Sequence, residues 1–168
     1  FVLWVLVNSG GVTDETGGLG TNAFGGNGPN ALGAFLAEAL LTAAREARPK
    51  AEGMVNVWSH GPRGAIGGNT VPGLWLMGAS MRLMERAAPE VLFNDLNACN
   101  AYQRGLEAAA AARCPALLVV GSRDMMTSPR GAPKLAAALQ DARIASIEGS
   151  GHALMAEYPD AVLDALRG

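Results

Sequence analysis

The sequence predicts an α/β fold in which parallel strands are covered by helices, and three observations carry that prediction. Phe1-Val2-Leu3-Trp4-Val5-Leu6-Val7 is continuously apolar, as expected of a strand buried on both faces. From Cys114 onward the pattern alternates strand, helix, strand, helix, the arrangement of a parallel sheet with covering helices. Between these ends, apolar residues recur at helical spacing and are interrupted by proline and glycine.

The elements follow in order. After the first strand, glycine occupies positions 10, 11, 17, 18, 20, 25, 26, 28 and 33. Such a segment has much entropy to lose and little to bury, so residues 10–33 read as a mobile loop. Leu32, Phe35, Leu36, Ala39 and Leu40 place a helix over residues 31–48. A short helix is expected over residues 53–61, and a loop over residues 62–73, where Pro62, Gly64, Gly67, Gly68, Pro72 and Gly73 cluster. Residues 74–87 and 89–112 read as helices, the second broken near 102–105, with Pro89 at a first helical position. Residues 116–120 form the next strand, with Pro115 at its leading edge. Leu135 and Leu139 mark a helix over 132–140, and residues 143–147 a further strand. The last helix spans 159–167, with Val162, Leu163 and Leu166 on its buried face.

A chain of 168 residues, 49% hydrophobic and 17% charged, is enough for one domain with a core. A formal net charge of −2 supplies no basic footprint for nucleic acid or an anionic membrane. The longest apolar run is too short to cross a bilayer. Cys99 and Cys114 make neither a disulfide framework nor a close metal-ligand pair, and two free thiols fit a reducing cytoplasm. The chain begins at Phe1 rather than methionine, which is read as something other than a natural translation start.

Two residues carry the chemistry. Asp124 lies in Gly121-Ser122-Arg123-Asp124-Met125-Met126-Thr127-Ser128-Pro129, just beyond a strand. His152 lies in Glu148-Gly149-Ser150-Gly151-His152, beyond the next. Functional loops of doubly wound sheets gather at the carboxyl ends of strands, so the two loops can meet. A carboxylate bonded to one ring nitrogen fixes the imidazole tautomer and stabilises the imidazolium formed when the other nitrogen takes a proton. Taken singly, Asp124 is also explained as a turn or N-cap residue, and His152 as a loop histidine.

At these residues the chain resembles the α/β-hydrolase family, whose triad runs Ser, then Asp or Glu, then His. Pro115 through Asp124 looks like its acid loop, and Gly149 through Pro159, with Gly151-His152 and Glu157-Tyr158-Pro159, like its histidine loop and last helix start. The resemblance implies a partial α/β-hydrolase fold: residues 1–9 a core strand, 10–30 a glycine-rich loop, 31–112 an inserted helical cap, and 113–168 the carboxyl-terminal part of the core. It implies hydrolysis of a small ester-like or related acyl substrate through a serine acyl-enzyme, with Asp124 orienting His152 and no metal or organic cofactor.

No Gly-x-Ser-x-Gly elbow occurs in the sequence. The nearest imitation, Gly78-Ala79-Ser80-Met81-Arg82, lacks the second glycine and falls inside an expected helix, so Ser80 is not read as the nucleophile. The serine and oxyanion donors are expected from an absent amino-terminal half, and the chain alone is expected to lack turnover. Gly18-Leu19-Gly20-Thr21-Asn22-Ala23 and Gly26-Asn27-Gly28-Pro29-Asn30-Ala31 match a loose dinucleotide-loop pattern without the strand that should lead into it. His60 reads as a helix-end residue near the carbonyl pole. Met77, Met81 and Met84 share a helix face, a stripe read first as core. With Trp75 they also suit an adaptable apolar substrate pocket.

A second reading is non-catalytic: a binding or assembly module derived from a hydrolase. Three core strands leave an unpaired edge and uncovered apolar faces, which the missing half or self-association would cover.

Overall fold

The computed structural model describes residues 4–7, 31–101 and 105–168, and side chains outside 4–7 and 31–37 within them. Residues 10–30 of the expected glycine-rich loop, with nearly all of the two dinucleotide-like patterns, and residues 102–104 of the break expected near 102–105 lie outside the described residues, whereas residues 31–33, the end of that expected loop, are helical.

Strand β1 (Trp4–Val7) is followed by helices α1 (Ala31–Glu46), α2 (Arg48–Ser59), α3 (Leu76–Glu85), α4 (Val91–Ala101) and α5 (Gly105–Ala111). Then come β2 (Ala116–Gly121), α6 (Ala132–Ala138), β3 (Ala142–Ile147), α7 (Leu154–Glu157) and α8 (Pro159–Arg167), with single 3₁₀ turns at Pro62–Gly64 and Pro129–Gly131. The three strands form one parallel sheet in the order β1-β2-β3. Trp4 stands beside Ala116 and Val7 beside Val119, while Ala116 stands beside Ala142 and Gly121 beside Ile147.

The central strand β2 is buried along its whole length, and its alternating side chains define two cores. Ala116 and Leu118 face α5 and α6, packing with Ala109, Leu135 and Leu139. Leu117 and Val119 point the other way, against Ile147, Leu154 and Val162. The continuous apolar run of β2 is thus explained by helices on both faces. A third cluster, Leu40, Ala43, Ala44, Ala51 and Leu96, joins α1, α2 and α4, and Met126 from the loop after β2 packs against it. The acid loop therefore sits between the sheet and the helical region.

Several boundaries differ from the sequence expectation. The helix expected over 31–48 ends at Glu46, and α2 starts at Arg48 rather than 53. Ala47 (φ −146°) breaks the path, and Pro49, whose missing N–H costs nothing in a first turn, opens the new helix. Pro89 is not a first helical residue: Val91 N–H bonds the Pro89 carbonyl at 2.7 Å across Glu90 (φ 61°), a tight turn from which α4 begins. On α8 the buried face runs through Val162, with Ala161, Ala165 and Leu166 packed beside it, and Leu163 is 43% exposed. The methionine stripe of α3 is not core: Met77 and Met84 are half-buried and Met81 exposed, while Leu76 is the residue α3 buries. Among the described residues no helix is long and apolar enough to cross a membrane.

Candidate active site

The ends of β2 and β3 set the site. Beyond Gly121 the chain turns through Ser122 and Arg123 to Asp124, and beyond Ile147 it turns through Gly149 to His152. The two loops are stitched together: Ser122 N–H donates to the Ile147 carbonyl at 3.1 Å, and Arg123 N–H to the Ser150 carbonyl at 2.9 Å. Gly149 N–H donates to Ser122 Oγ at 2.8 Å. Gly149 takes φ +80°, a conformation glycine adopts without steric penalty. A Cβ at Gly121 would collide with the carbonyl oxygens of Gly151 and Ser150, the latter at 2.6 Å. The strand end and the histidine loop therefore touch backbone to backbone.

Within this frame His152 Nδ1 lies 3.0 Å from Asp124 Oδ2. A carboxylate only accepts, so Nδ1 carries the proton and donates. Asp124 is itself fixed: its Oδ1 accepts the backbone N–H groups of Met126 and Thr127 at 2.8 Å each. Asp124 thus accepts the two turn amides through one oxygen and faces the His152 ring through the other. The Asp124 side chain is 1% exposed and that of His152 30%. A buried acid behind a partly open imidazole holds the ring in the tautomer whose Nε2 carries the lone pair, the form that takes a proton from a nucleophile.

The helical region reaches the same loop. Ser59, the last residue of α2, accepts Ala153 N–H at 2.8 Å. His60 caps α2, its Nδ1 2.8 Å from the Asn56 carbonyl, the helix-end role its sequence context indicates. Arg63 Nη1 donates to the Glu157 carbonyl at 3.1 Å, and its guanidinium lies 3.9 Å from the centre of the Tyr158 ring.

Glu157 is the residue sequence reasoning missed. It is 1% exposed, and its Oε2 accepts Gly151 N–H at 2.7 Å. The only available signal is its place five residues after His152 and before Tyr158-Pro159.

The other side chains proposed for the site lie on or beside α3. Ser80 lies in the middle of α3, on no strand-to-helix turn. Trp75 precedes α3, 44% exposed, and its indole covers Gly78. Met77 and Met84 accept through their carbonyls from Asn56 Nδ2 at 2.9 Å and Arg48 Nη2 at 2.6 Å, so α3 is tied to α2 near this stripe. Cys99 and Cys114 are free thiols. Among the described residues no group of three or more His, Cys, Asp or Glu could hold a metal ion.

Residues 5–165 match the sequence profile of a family described as the alpha/beta hydrolase family. Comparison with curated proteins gives no match. Among solved structures, the chain is similar to an esterase from Exiguobacterium antarcticum, with TM-score 0.67 and 14% identity, covering 79% of this chain and 46% of that one. It is similar to a thermophilic esterase from Thermogutta terrifontis (TM-score 0.59, 21% identity, 84% of this chain and 50% of that one). A bromoperoxidase from Bacillus anthracis gives 0.62 at 17% identity, covering 85% and 51%. The chain spans about half the length of these structures. Likeness at these identities speaks to the fold, and the names attached to it already differ in chemistry.

Proposed function

We propose, from the premise that this chain belongs to the alpha/beta hydrolase family, that it supplies the acid and base of a serine-type active site acting on esters or related acyl compounds. The observation that carries the reading is the 3.0 Å contact between His152 Nδ1 and the buried Asp124 carboxylate, at the carboxyl ends of adjacent parallel strands. In the reaction, His152 Nε2 takes the proton of the attacking serine hydroxyl. The serine oxygen bonds the acyl carbon, and the alkoxide leaves with the proton His152 returns. Water then repeats the sequence to release the acid. Asp124 keeps the imidazole oriented and stabilises its cation throughout.

The serine and the donors for the oxyanion come, on this reading, from a segment outside these 168 residues. The absence of Gly-x-Ser-x-Gly from the sequence and the coverage of about half of each similar structure support it. Residues 31–112 act as a cap, with Trp75, Met77, Met81 and Met84 offered to the apolar part of the substrate.

The test begins with the nucleotide sequence immediately upstream of the Phe1 codon. An in-frame extension encoding strand, Gly-x-Ser-x-Gly and helix is expected. The longer product should hydrolyse p-nitrophenyl esters and be labelled by a fluorophosphonate on that serine, and His152→Ala should lower its kcat by about 10³-fold or more. Undiminished turnover in the His152→Ala variant, or ester hydrolysis by the 168-residue chain that disappears in Ser80→Ala, would overturn the reading.

A further inference from the structure

Glu157 ends the short helix α7 in a setting that packing alone does not explain. Glutamates at helix ends ordinarily reach water, whereas this one is 1% exposed. Burying a carboxyl group is costly unless hydrogen bonds replace its hydration, and here the replacement is one-sided. Oε2 accepts Gly151 N–H at 2.7 Å and lies 3.5 Å from the Ser150 hydroxyl, while Oε1 has no hydrogen-bond partner among the described residues. The slot is closed by backbone: a Cβ on Gly61 would stand 3.2 Å from Oε1, and a Cβ on Gly151 would stand 2.5 Å from Gly61 N. An apolar side chain would fill such a slot with no orphaned oxygen. The one thing it could not do is hold the Gly151 amide.

That amide belongs to the residue immediately before His152. The amide immediately after it, Ala153 N–H, is bonded to the Ser59 carbonyl at 2.8 Å. The backbone N–H groups of the residues on either side of His152 are therefore tied to fixed acceptors, one a buried side chain and the other a helix end, while Asp124 holds the ring. We infer that Glu157 is a positioning residue for His152: its carboxyl group fixes the Ser150–Gly151 peptide, one residue ahead of the histidine, and thereby keeps Nδ1 within reach of Asp124. The inference rests on the acid–base reading of that pair. An acceptor on a different element holds the backbone where the ring must point, as outer partners orient the ligands of metal sites.

The test uses the full 168-residue chain, labelled with ¹⁵N, and reads two quantities. One is the ring ¹⁵N–¹H pattern of His152, separated from the only other histidine by a His60→Gln variant; the other is amide hydrogen exchange at Gly151 and, as a reference, at Leu118 in β2. Glu157→Gln keeps a carbonyl oxygen at the same reach and is expected to preserve the Nδ1–H tautomer, with Gly151 exchange within about 10-fold of the parent. Glu157→Asp keeps the carboxyl group but withdraws it by one methylene. It is expected to lose the fixed tautomer and speed Gly151 exchange by at least about 30-fold while Leu118 stays protected. A Glu157→Asp protein indistinguishable from the parent in both readouts overturns the inference. So does equal acceleration at Gly151 and Leu118, which would make Glu157 a residue of general stability. An Asp124→Asn control separates the two proposals: it should alter the His152 pattern by itself, and its failure to do so would sink the acid–base pair and the inference that rests on it, whereas a parental Glu157→Asp protein beside an altered Asp124→Asn protein would sink the role of Glu157 alone.

Discussion

The carbonyl of Ser59 accepts the backbone N–H of Ala153 at 2.8 Å, so the carboxyl end of α2 is fastened one residue beyond His152. The last four carbonyls of a helix have no partner within it, and here one of them is satisfied by the histidine loop. Ala153 has φ −82°, close to the value proline imposes, so Ala153→Pro removes the donor with little change in local backbone. The lost bond and the orphaned carbonyl should lower stability by about 1–3 kcal/mol. Urea titration of the two proteins measures this, and an unchanged midpoint would show that the α2–loop contact is energetically idle.

Asp124 serves two masters through two oxygens, and variants should separate them. Asp124→Ala leaves the Met126 and Thr127 N–H groups, now bonded at 2.8 Å, without an acceptor. A loss of about 2–4 kcal/mol is expected. Asp124→Asn retains one carbonyl oxygen for those two donors and should cost about 1 kcal/mol, yet it no longer enforces the histidine tautomer. In the complete enzyme proposed above, Asp124→Asn should lower kcat by about 10⁴-fold despite its near-normal stability. Parallel denaturation and ester-hydrolysis assays would expose the dissociation, and proportionate losses in both would argue against it.

Gly121 ends β2 against the peptide of Ser150 and Gly151. Because both obstacles are backbone, no rotamer change relieves Gly121→Ala, and overpacking of this kind costs about 1–3 kcal/mol. The substitution should also push the histidine loop away from Asp124. Thermal melting reports the first effect, and loss of the His152–Asp124 signature by NMR the second. A Gly121→Ala protein with parental melting temperature would mean that the two loops yield to each other freely.

The sheet and the meeting of Asp124 with His152 were legible in sequence for physical reasons. A strand covered on both faces must be apolar throughout, which marks Ala116–Gly121, and turn residues beyond two successive strands put Asp124 and His152 at the same sheet edge. What stayed hidden depends on contacts between segments distant in sequence. The place of Glu157 before Tyr158-Pro159 marks a helix start but does not reveal its burial, because its partner is the backbone of Gly151 and its enclosure comes from Gly61. Ala47 and Pro49 read as one continuous helix or two according to where α1 and α2 pack. The methionines of α3 carry a helical period, but period alone does not say which neighbour, if any, covers that face.

The phase of α8 gives the last prediction, since two adjacent residues of similar hydrophobicity have opposite fates. Val162 is 5% exposed and packs with Leu117, Val119, Ile147 and Leu154, whereas Leu163 is 43% exposed. On sequence alone both belong to the buried face. Truncating Val162 to alanine removes two methyl groups from the core and leaves a void that backbone strands cannot close, so Val162→Ala should cost about 2 kcal/mol. Leu163→Ala deletes a larger side chain but mostly from solvent, and alanine is the better helix former, so its effect should stay within about 0.5 kcal/mol. Guanidinium titration of the two variants decides between the phases. A Leu163→Ala protein losing more stability than Val162→Ala would rotate α8 about its axis, and with it the packing beneath β2 that holds the acid and histidine loops in register.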